Sequence, residues 1–300
     1  MSVVAVLGTG RMGAEMATRV AVGGYSVVLW NRTGASAERT RQAILRASPE
    51  AEVSVAETPA AAVGAARHVL SMFADGAATC AVLLDDAVHA ALRPGTVVCD
   101  LGTSGPVAAR ELADGLSGAG VLTLDAPVSG SVPAARAGTL LVMAGGSEEA
   151  VAAASPVLST FARRVMHVGP AGSGQSMKLA VNLVVHDLNA ALAESLLLAE
   201  RSGIDPSAAY DVLQESVVAA PLVTYKRAAF LGDPTVAMSL ELVDKDLHLI
   251  LDLATKRGVE ARTTRATQQA VASAVEDGYG ASDMAALLHH QRGQGSVGTS

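Results

Sequence analysis

A lysine and an asparagine stand four residues apart in Gly172-Ser173-Gly174-Gln175-Ser176-Met177-Lys178-Leu179-Ala180-Val181-Asn182. Four residues is about one helical turn, so on a helix Lys178 and Asn182 leave the same face. A lysine desolvated on an apolar face has its pKa lowered toward neutrality, where it can exchange protons. The other chemical signal opens the chain. Gly8-Thr9-Gly10-Arg11-Met12-Gly13 follows the apolar run Val3–Leu7. In a strand–turn–helix context Gly8 permits the tight turn, Gly10 lets a pyrophosphate approach the backbone, and Gly13 lets the helix pack on the strand. The helix N-terminus then offers N–H groups and partial positive charge to phosphates. A dinucleotide turn followed by a proton-exchanging lysine points to redox chemistry on a small carbonyl compound.

The second apolar run ends in Asn31-Arg32-Thr33. An NAD site usually has Asp or Glu here for the ribose 2′-OH, and a carboxylate would repel a 2′-phosphate. Asn31 is neutral, Arg32 can stack on adenine or pair with phosphate, and Thr33 can donate a further hydrogen bond. NADP(H) is therefore expected over NAD(H).

These groups need a scaffold. Strands are expected at Val3–Leu7, Ser26–Trp30, Val53–Val55 and residues 69–73, 97–101, 121–124, 140–144 and 165–167. Helical segments separate them: residues 12–22, 36–47, 59–65, 77–83, 107–116 and 150–161. This alternation predicts an α/β domain with a doubly wound parallel sheet over residues 1–170. From Ser173 a single helix can run to Arg201, ~40 Å at 1.5 Å per residue, ending at Gly203 and Pro206. Only helical patterns follow: residues 206–214, 223–230, 240–257, 261–276 and 284–290. The expected second domain is all-α, residues 171–290, with a polar tail at 291–300.

Composition narrows the function classes. A net charge of −7 without a basic tract argues against a nucleic-acid surface. Cys80 and Cys99 have no metal spacing, His289 and His290 are adjacent on a helix, and His186 and His248 lack partners in sequence, so no metal is expected. With a strand beginning at residue 2 or 3, no secretory leader is expected, and a reducing cytoplasm is the simplest compartment. The longest apolar stretch, residues 188–199, contains Asn189 and Glu194 and is too short to span a bilayer, so no membrane partner is expected.

Four further segments align with the first: Asp100-Leu101-Gly102-Thr103-Ser104-Gly105-Pro106, Asp125-Ala126-Pro127-Val128-Ser129-Gly130-Ser131, Gly172 through Asn182, and Lys245-Asp246-Leu247. In this order and spacing the chain resembles the β-hydroxyacid dehydrogenase family, which includes 3-hydroxyisobutyrate dehydrogenases and glyoxylate/succinic semialdehyde reductases. The resemblance runs from residue 1 to about 290. It implies a Rossmann-type N-terminal domain joined by a long helix to an all-α domain. It implies hydride transfer between NAD(P) and a small carboxylated aldehyde or β-hydroxy acid. Lys178 matches the general acid/base, and Asn182 the residue that holds substrate or orients the lysine. Ser129, Gly130 and Ser131 match a carboxylate cradle, and Thr103 a threonine beside nicotinamide and substrate. Lys245 matches a lysine brought to the cofactor from the helical half, and Met72 joins the cofactor set with Gly8 to Gly13 and Asn31 to Thr33.

Two positions depart from the pattern: Gly102 where serine is common, and Ser131 where glycine is common. Imine reductases share the architecture and the Asn-Arg-Thr segment, but typically lack lysine at the position of Lys178. Imine reduction is the enzymatic alternative, and a non-catalytic NADP-binding module the alternative of another class. The helix from Ser173 is apolar nearly all round, so a homodimer or homotetramer through the α domain is expected.

Overall fold

Val3–Leu7 forms strand β1 in the middle of a sheet, and its side chains alternate between two cores. Val4 and Val6 enter one buried cluster, Ala5 and Leu7 the other. The structure, a computed structural model, describes residues 2–233 and 235–294. Its first compact unit is Met1–Lys178, its second Leu179–Ser300. This division falls within the first turns of the long helix.

In the first unit β1 is followed by α1 (Arg11–Val22), β2 (Ser26–Trp30), α2 (Gly34–Ala47), β3 (Val53–Val55), α3 (Pro59–Gly64), β4 (His68–Ser71), α4 (Gly76–Leu83), α5 (Asp86–Ala91), β5 (Val97–Asp100), α6 (Pro106–Leu116) and β6 (Leu122–Asp125). These strands lie parallel in the order β3-β2-β1-β4-β5-β6, the doubly wound arrangement. One face packs on α1, α2 and a later helix, Glu148–Leu158, through Met16, Val20, Ile44 and Val157. The other packs on α3, α4 and α6 through Val63, Leu83, Leu112 and Leu116.

Beyond β6 the sheet becomes mixed. β7 (Val128–Ser129) and α7 (Val132–Ala137) lead into β8 (Leu140–Gly145), which runs antiparallel to β6 and β7. The short return through α7 brings the chain straight back beside β7. A parallel crossover needs a longer connection, which α8 (Glu148–Leu158) supplies between β8 and the parallel β9 (Ala162–Gly169). Neither β7 nor the six-residue helices α5 and α7 was expected, because each is too short to set up a hydrophobic period.

Helix α9 (Ser173–Arg201) is 29 residues long. It is followed by α10 (Pro206–Glu215), α11 (Pro221–Phe230), α12 (Leu240–Lys256) and α13 (Arg262–Ala274). A π-helical turn at Val275–Tyr279, a 3-10 turn at Met284–Ala286 and α14 (Leu287–Gln294) complete the second unit. Its core joins Leu192, Leu196, Tyr210, Phe230, Leu247 and Leu287. Residues 291–294, expected in the tail, end α14, and 295–300 lie outside the described residues.

By length and composition alone α9 could cross a membrane, a longer apolar segment than the expected stretch 188–199. Two of its polar side chains are buried and paired. Asn182 donates to Asp246 and Asn189 to the Met284 carbonyl, both buried inside the helical unit.

Candidate active site

The crevice at the carboxyl ends of β1 and β4, where strand order reverses, is the ligand position of a doubly wound sheet. Leu7 leads into it, its carbonyl accepting from Met72 N at 2.8 Å. The three glycines of the turn separate by cause. A Cβ at Gly8 would collide with the Met72 carbonyl, and one at Gly13 with the Gly8 carbonyl. A Cβ at Gly10 would meet nothing within 4 Å. The fold requires Gly8 and Gly13 but not Gly10. The open surface beside Gly10 is the space a pyrophosphate needs against the backbone, so the turn fits a dinucleotide.

The turn is braced from β2. Asn31 Oδ1 accepts from Thr9 N at 3.0 Å, and Asn31 Nδ2 donates to the Thr33 carbonyl at 3.2 Å. Ser36 Oγ donates to the Thr9 carbonyl at 2.9 Å. The Asn31 amide therefore holds the turn, while Arg32 and Thr33 are exposed at the start of α2, whose first turn has no acidic residue. Arg11 is exposed, and Met12 and Met72 are half-buried against the core.

Two buried carboxylates at the ends of β5 and β6 organise the next part. Asp100 accepts from Ser71 Oγ at 3.2 Å, Gly102 N at 3.3 Å and Ser104 Oγ at 2.5 Å. Burial pushes its carboxyl up to about 6 against the lowering effect of these bonds, and the Asp125 charge adds to the rise. Asp125 accepts from Gly172 N and Gln175 N, each at 2.8 Å, at the start of α9. Burial raises the Asp125 carboxyl, and those N–H groups oppose it. Thr103 is half-buried between Gly102 and Ser104.

Gly102, one of the two departures, has a packing cause: a Cβ there would lie 2.7 Å from the Phe73 carbonyl. Ser129 is half-buried at the end of β7, Gly130 is exposed, and Ser131 precedes α7 without a side-chain hydrogen bond to it. Lys178 is half-buried on α9.

The second unit holds its own cluster. Asn182 Nδ2 donates to Asp246 Oδ2 at 2.7 Å, and Lys245 Nζ lies 2.9 Å from Asp246 Oδ1. His186 Nε2 lies 3.6 Å from Asp246 Oδ2, so the partner its sequence context did not show is this carboxylate. Burial opposes the Asp246 charge, but His186 and Lys245 together hold its carboxyl below the usual range. Lys245 is thus tied to a buried acid, not to a charged surface face. His248 pairs with Asp244 on the exposed side of α12, its Nδ1 2.8 Å from the Asp244 carbonyl.

Residues 3–169 match the family described as the NAD binding domain of 6-phosphogluconate dehydrogenase. Residues 172–291 match the NAD-binding domain of NADP-dependent 3-hydroxyisobutyrate dehydrogenase. A probable 3-hydroxyisobutyrate dehydrogenase of Mycobacterium tuberculosis is 32% identical over 87% of this chain and 88% of its own length. Glyoxylate/succinic semialdehyde reductase 1 of Arabidopsis thaliana is 26% identical over 95% of this chain and 96% of its own. The chain belongs to the 3-hydroxyisobutyrate dehydrogenase-like family of NAD(P)-dependent oxidoreductases. The crystal structure of 3-hydroxyisobutyrate dehydrogenase from Salmonella typhimurium superposes with a TM-score of 0.88 at 27% identity, covering 97% of this chain and 100% of the other. An imine reductase from Myxococcus stipitatus shares the fold, with a TM-score of 0.63 at 20% identity over 97% of this chain and 99% of its own.

Asp100, Asp125, Gln175 and Asp246 carry no assigned role in the sequence analysis, although each lies in a segment that marks the family. A signal was present for two of them. Asp100 and Asp125 each end a parallel strand, where the site of a doubly wound sheet lies.

Two measurements follow from this geometry. Gly10→Val should leave the urea unfolding midpoint near that of the wild type and weaken NADP(H) binding by about tenfold or more. Gly13→Ala should instead lower the midpoint. Equal binding by Gly10→Val would remove the assignment of the turn. For Asp100, the folded pKa lies above the unfolded value of about 3.9. Its contribution is therefore fully present below about pH 4 and lost as pH rises through about 6. In urea titrations, Asp100→Asn should gain on the wild type by about 3 kcal/mol between about pH 4 and pH 7.5. A pH-independent difference would contradict the raised carboxyl.

Proposed function

We propose that this oxidoreductase interconverts small carboxylated aldehydes and their β-hydroxy acids, with NADP(H) preferred over NAD(H) and Lys178 as general acid/base. The observation that carries the reading is the placement of Lys178. It lies half-buried on α9, whose first turn is tied to the end of β6 by Asp125. Bound nicotinamide supplies the hydride in reduction and receives it in oxidation. As hydride reaches the carbonyl carbon, the Lys178 ammonium gives its proton to the oxygen that would otherwise become an alkoxide. In oxidation the neutral amine takes the alcohol proton. Asn182, its Nδ2 held by Asp246, keeps its carbonyl oxygen in a set orientation to hold substrate or orient the lysine. The hydroxyls of Ser129 and Ser131 and the Gly130 N–H receive the carboxylate, and Thr103 lies beside the nicotinamide. Lys245 adds positive charge for the cofactor.

The cofactor preference rests on the exposed Arg32 and Thr33, with no carboxylate in the first turn of α2 to repel a 2′-phosphate. Other members differ here, since the relative named NAD-dependent L-serine dehydrogenase in Pseudomonas aeruginosa is 31% identical over 72% of this chain and 70% of its own. The protein acts in a reducing cytoplasm, with neither a nucleic-acid nor a membrane partner. Burial pushes the Cys99 thiol up to about 12 and Cys80 up to about 11, so neither is a ready nucleophile.

A second copy of the chain covers the helical unit, as a homodimer or homotetramer. Val184 (61% exposed), Ala191 and Leu198 (70% exposed) recur every seven residues on α9, the spacing of a helix–helix seam.

The deciding experiment follows NADPH oxidation with glyoxylate, succinic semialdehyde, methylmalonate semialdehyde and a cyclic imine. Aldehyde turnover should appear, exceed that with NADH, and fall ~10²–10⁴-fold in Lys178→Ala with cofactor binding retained. Turnover on the imine alone, or indifference to Lys178→Ala, would transfer the chain to imine reduction. Cofactor binding without turnover would support the binding module. Separately, light scattering should show Leu198→Glu shifted to a smaller assembly than the wild type. A monomeric wild type would sink the proposed interface.

A further inference from the structure

Gln175 is fully buried three residues before Lys178, and its whole amide is spent on another part of the chain. Its Oε1 accepts from Ser104 N at 3.1 Å and Gly105 N at 3.2 Å. Its Nε2 donates to the Gly102 carbonyl at 2.8 Å and lies 3.5 Å from Asp100 Oδ2. Its own backbone N–H donates to Asp125. The side chain therefore does not cap α9, because Asp125 does that. One amide grips the backbone immediately before and after Thr103. Asp100 grips the same segment through Gly102 N and Ser104 Oγ.

We infer that Gln175 is a positioning residue that sets the Thr103 segment in register with the turn of α9 carrying Lys178, an inference that rests on the proposed roles of those two residues. The chemistry of the amide is what the position requires. Two N–H groups need an acceptor while a carbonyl 2.8 Å away needs a donor, and a primary amide offers both on one rigid plane. Methionine has comparable length and offers neither. An ionised glutamate keeps the acceptor, loses the donor, and sets a third carboxylate beside Asp100 and Asp125. A protonated glutamate again has one carbonyl acceptor and one O–H donor. Three residues advance α9 by about 4.5 Å, so a loosened grip is felt directly at Lys178. Proton transfer tolerates little displacement, and misplacement of about 1 Å can cost roughly 100-fold.

The test compares the wild type, Gln175→Met and Gln175→Glu in the full chain. The first readout is amide hydrogen exchange without cofactor. In Gln175→Met the Ser104 and Gly105 amides should exchange at least about tenfold faster, while Val98 and Val6 in the sheet stay protected. The second readout is kinetic. Gln175→Met should lose kcat by roughly 100-fold with the KM for NADPH within about twofold, because the Gly8–Gly13 turn is untouched. Gln175→Glu should resemble Gln175→Met near neutral pH and recover toward the wild type as pH falls and its carboxyl protonates. Asp100, beside the Gln175 amide, and Asp125, on its backbone N–H, act to raise that carboxyl's pKa, while Lys178 three residues on and Arg110 beside Gly172 act to lower it.

Unchanged exchange at Ser104 and Gly105 in Gln175→Met would overturn the inference. So would a freed loop with wild-type kcat, or a Gln175→Glu deficit that does not respond to pH. If Gln175→Met fails to fold, Gln175→Glu measured against itself at two pH values still decides. A wild type that turns over no aldehyde, or is indifferent to Lys178→Ala, fails the proposed function instead, and the exchange readout then decides the role of Gln175 alone.

Discussion

The Asp125 carboxylate, buried at the end of β6, accepts from the backbone at the first turn of α9. Putting a carboxylate out of water is costly, and the N–H groups of a helix N-terminus are among the few partners that offset it without a cation. The bond sets where α9 begins and how it is rotated. A slip of one residue would turn every later side chain by about 100° and move Lys178 to another face. The neighbouring glycines follow from the same contact. A Cβ at Gly174 would collide with the carbonyls of Asp125 and Met143, so the helix reaches this depth only without a side chain there.

The two units handle buried charge in opposite ways. In the first, N–H and hydroxyl donors surround Asp100 and Asp125, and at Asp100 the Asp125 charge adds to the effect of burial. Asp100 is consequently poised to titrate just below neutrality. In the second, Asp246 has Lys245 and His186 on its two oxygens and stays ionised. The Asn182 bond to it is then charge-assisted, which holds an amide more firmly than a neutral acceptor would. The proposed role of Asn182 beside Lys178 calls for such an oriented amide. The same logic recurs away from the site, where Lys226 donates to both oxygens of Asp283 in the helical core.

Much of this was legible from residue order. Val3–Leu7 and Ser26–Trp30 read as buried parallel strands because both faces are covered, and α9 read correctly from Ser173 to Arg201 because Gly203 and Pro206 end it. The elements that did not read, β7, α5 and α7, are too short for a period to show. Asn31 read as a cofactor contact, and the fold adds a second use for its amide, which also braces Thr9 and Thr33. Asp100, Asp125 and Gln175 escaped for a different reason. Their partners lie as far as 75 residues away, so the strand-end position of the two aspartates marks the site without showing what they hold. Asp246 carried no role because adjacent residues on a helix point in different directions, and only the fold shows that Asp246 points inward.

The two departures from the family pattern now carry different weight. Gly102 is required by the Phe73 carbonyl, so it reports how closely two strand-end loops approach each other. A serine there would force the Thr103 segment outward against the grip of Asp100 and Gln175. Ser131 has no such cause. Its hydroxyl is half-buried, does not cap the helix it precedes, and follows an exposed glycine. A side chain that the fold does not use, at a position proposed to hold the substrate's carboxylate, adds one donor and one acceptor to the cradle. Pockets built to hydrogen-bond a substrate group discriminate strongly against analogues lacking it, because the unmatched partner is left desolvated. On the proposed reading, Ser131 rather than Gly102 is the departure through which substrate choice would diverge from that of relatives with glycine in its place.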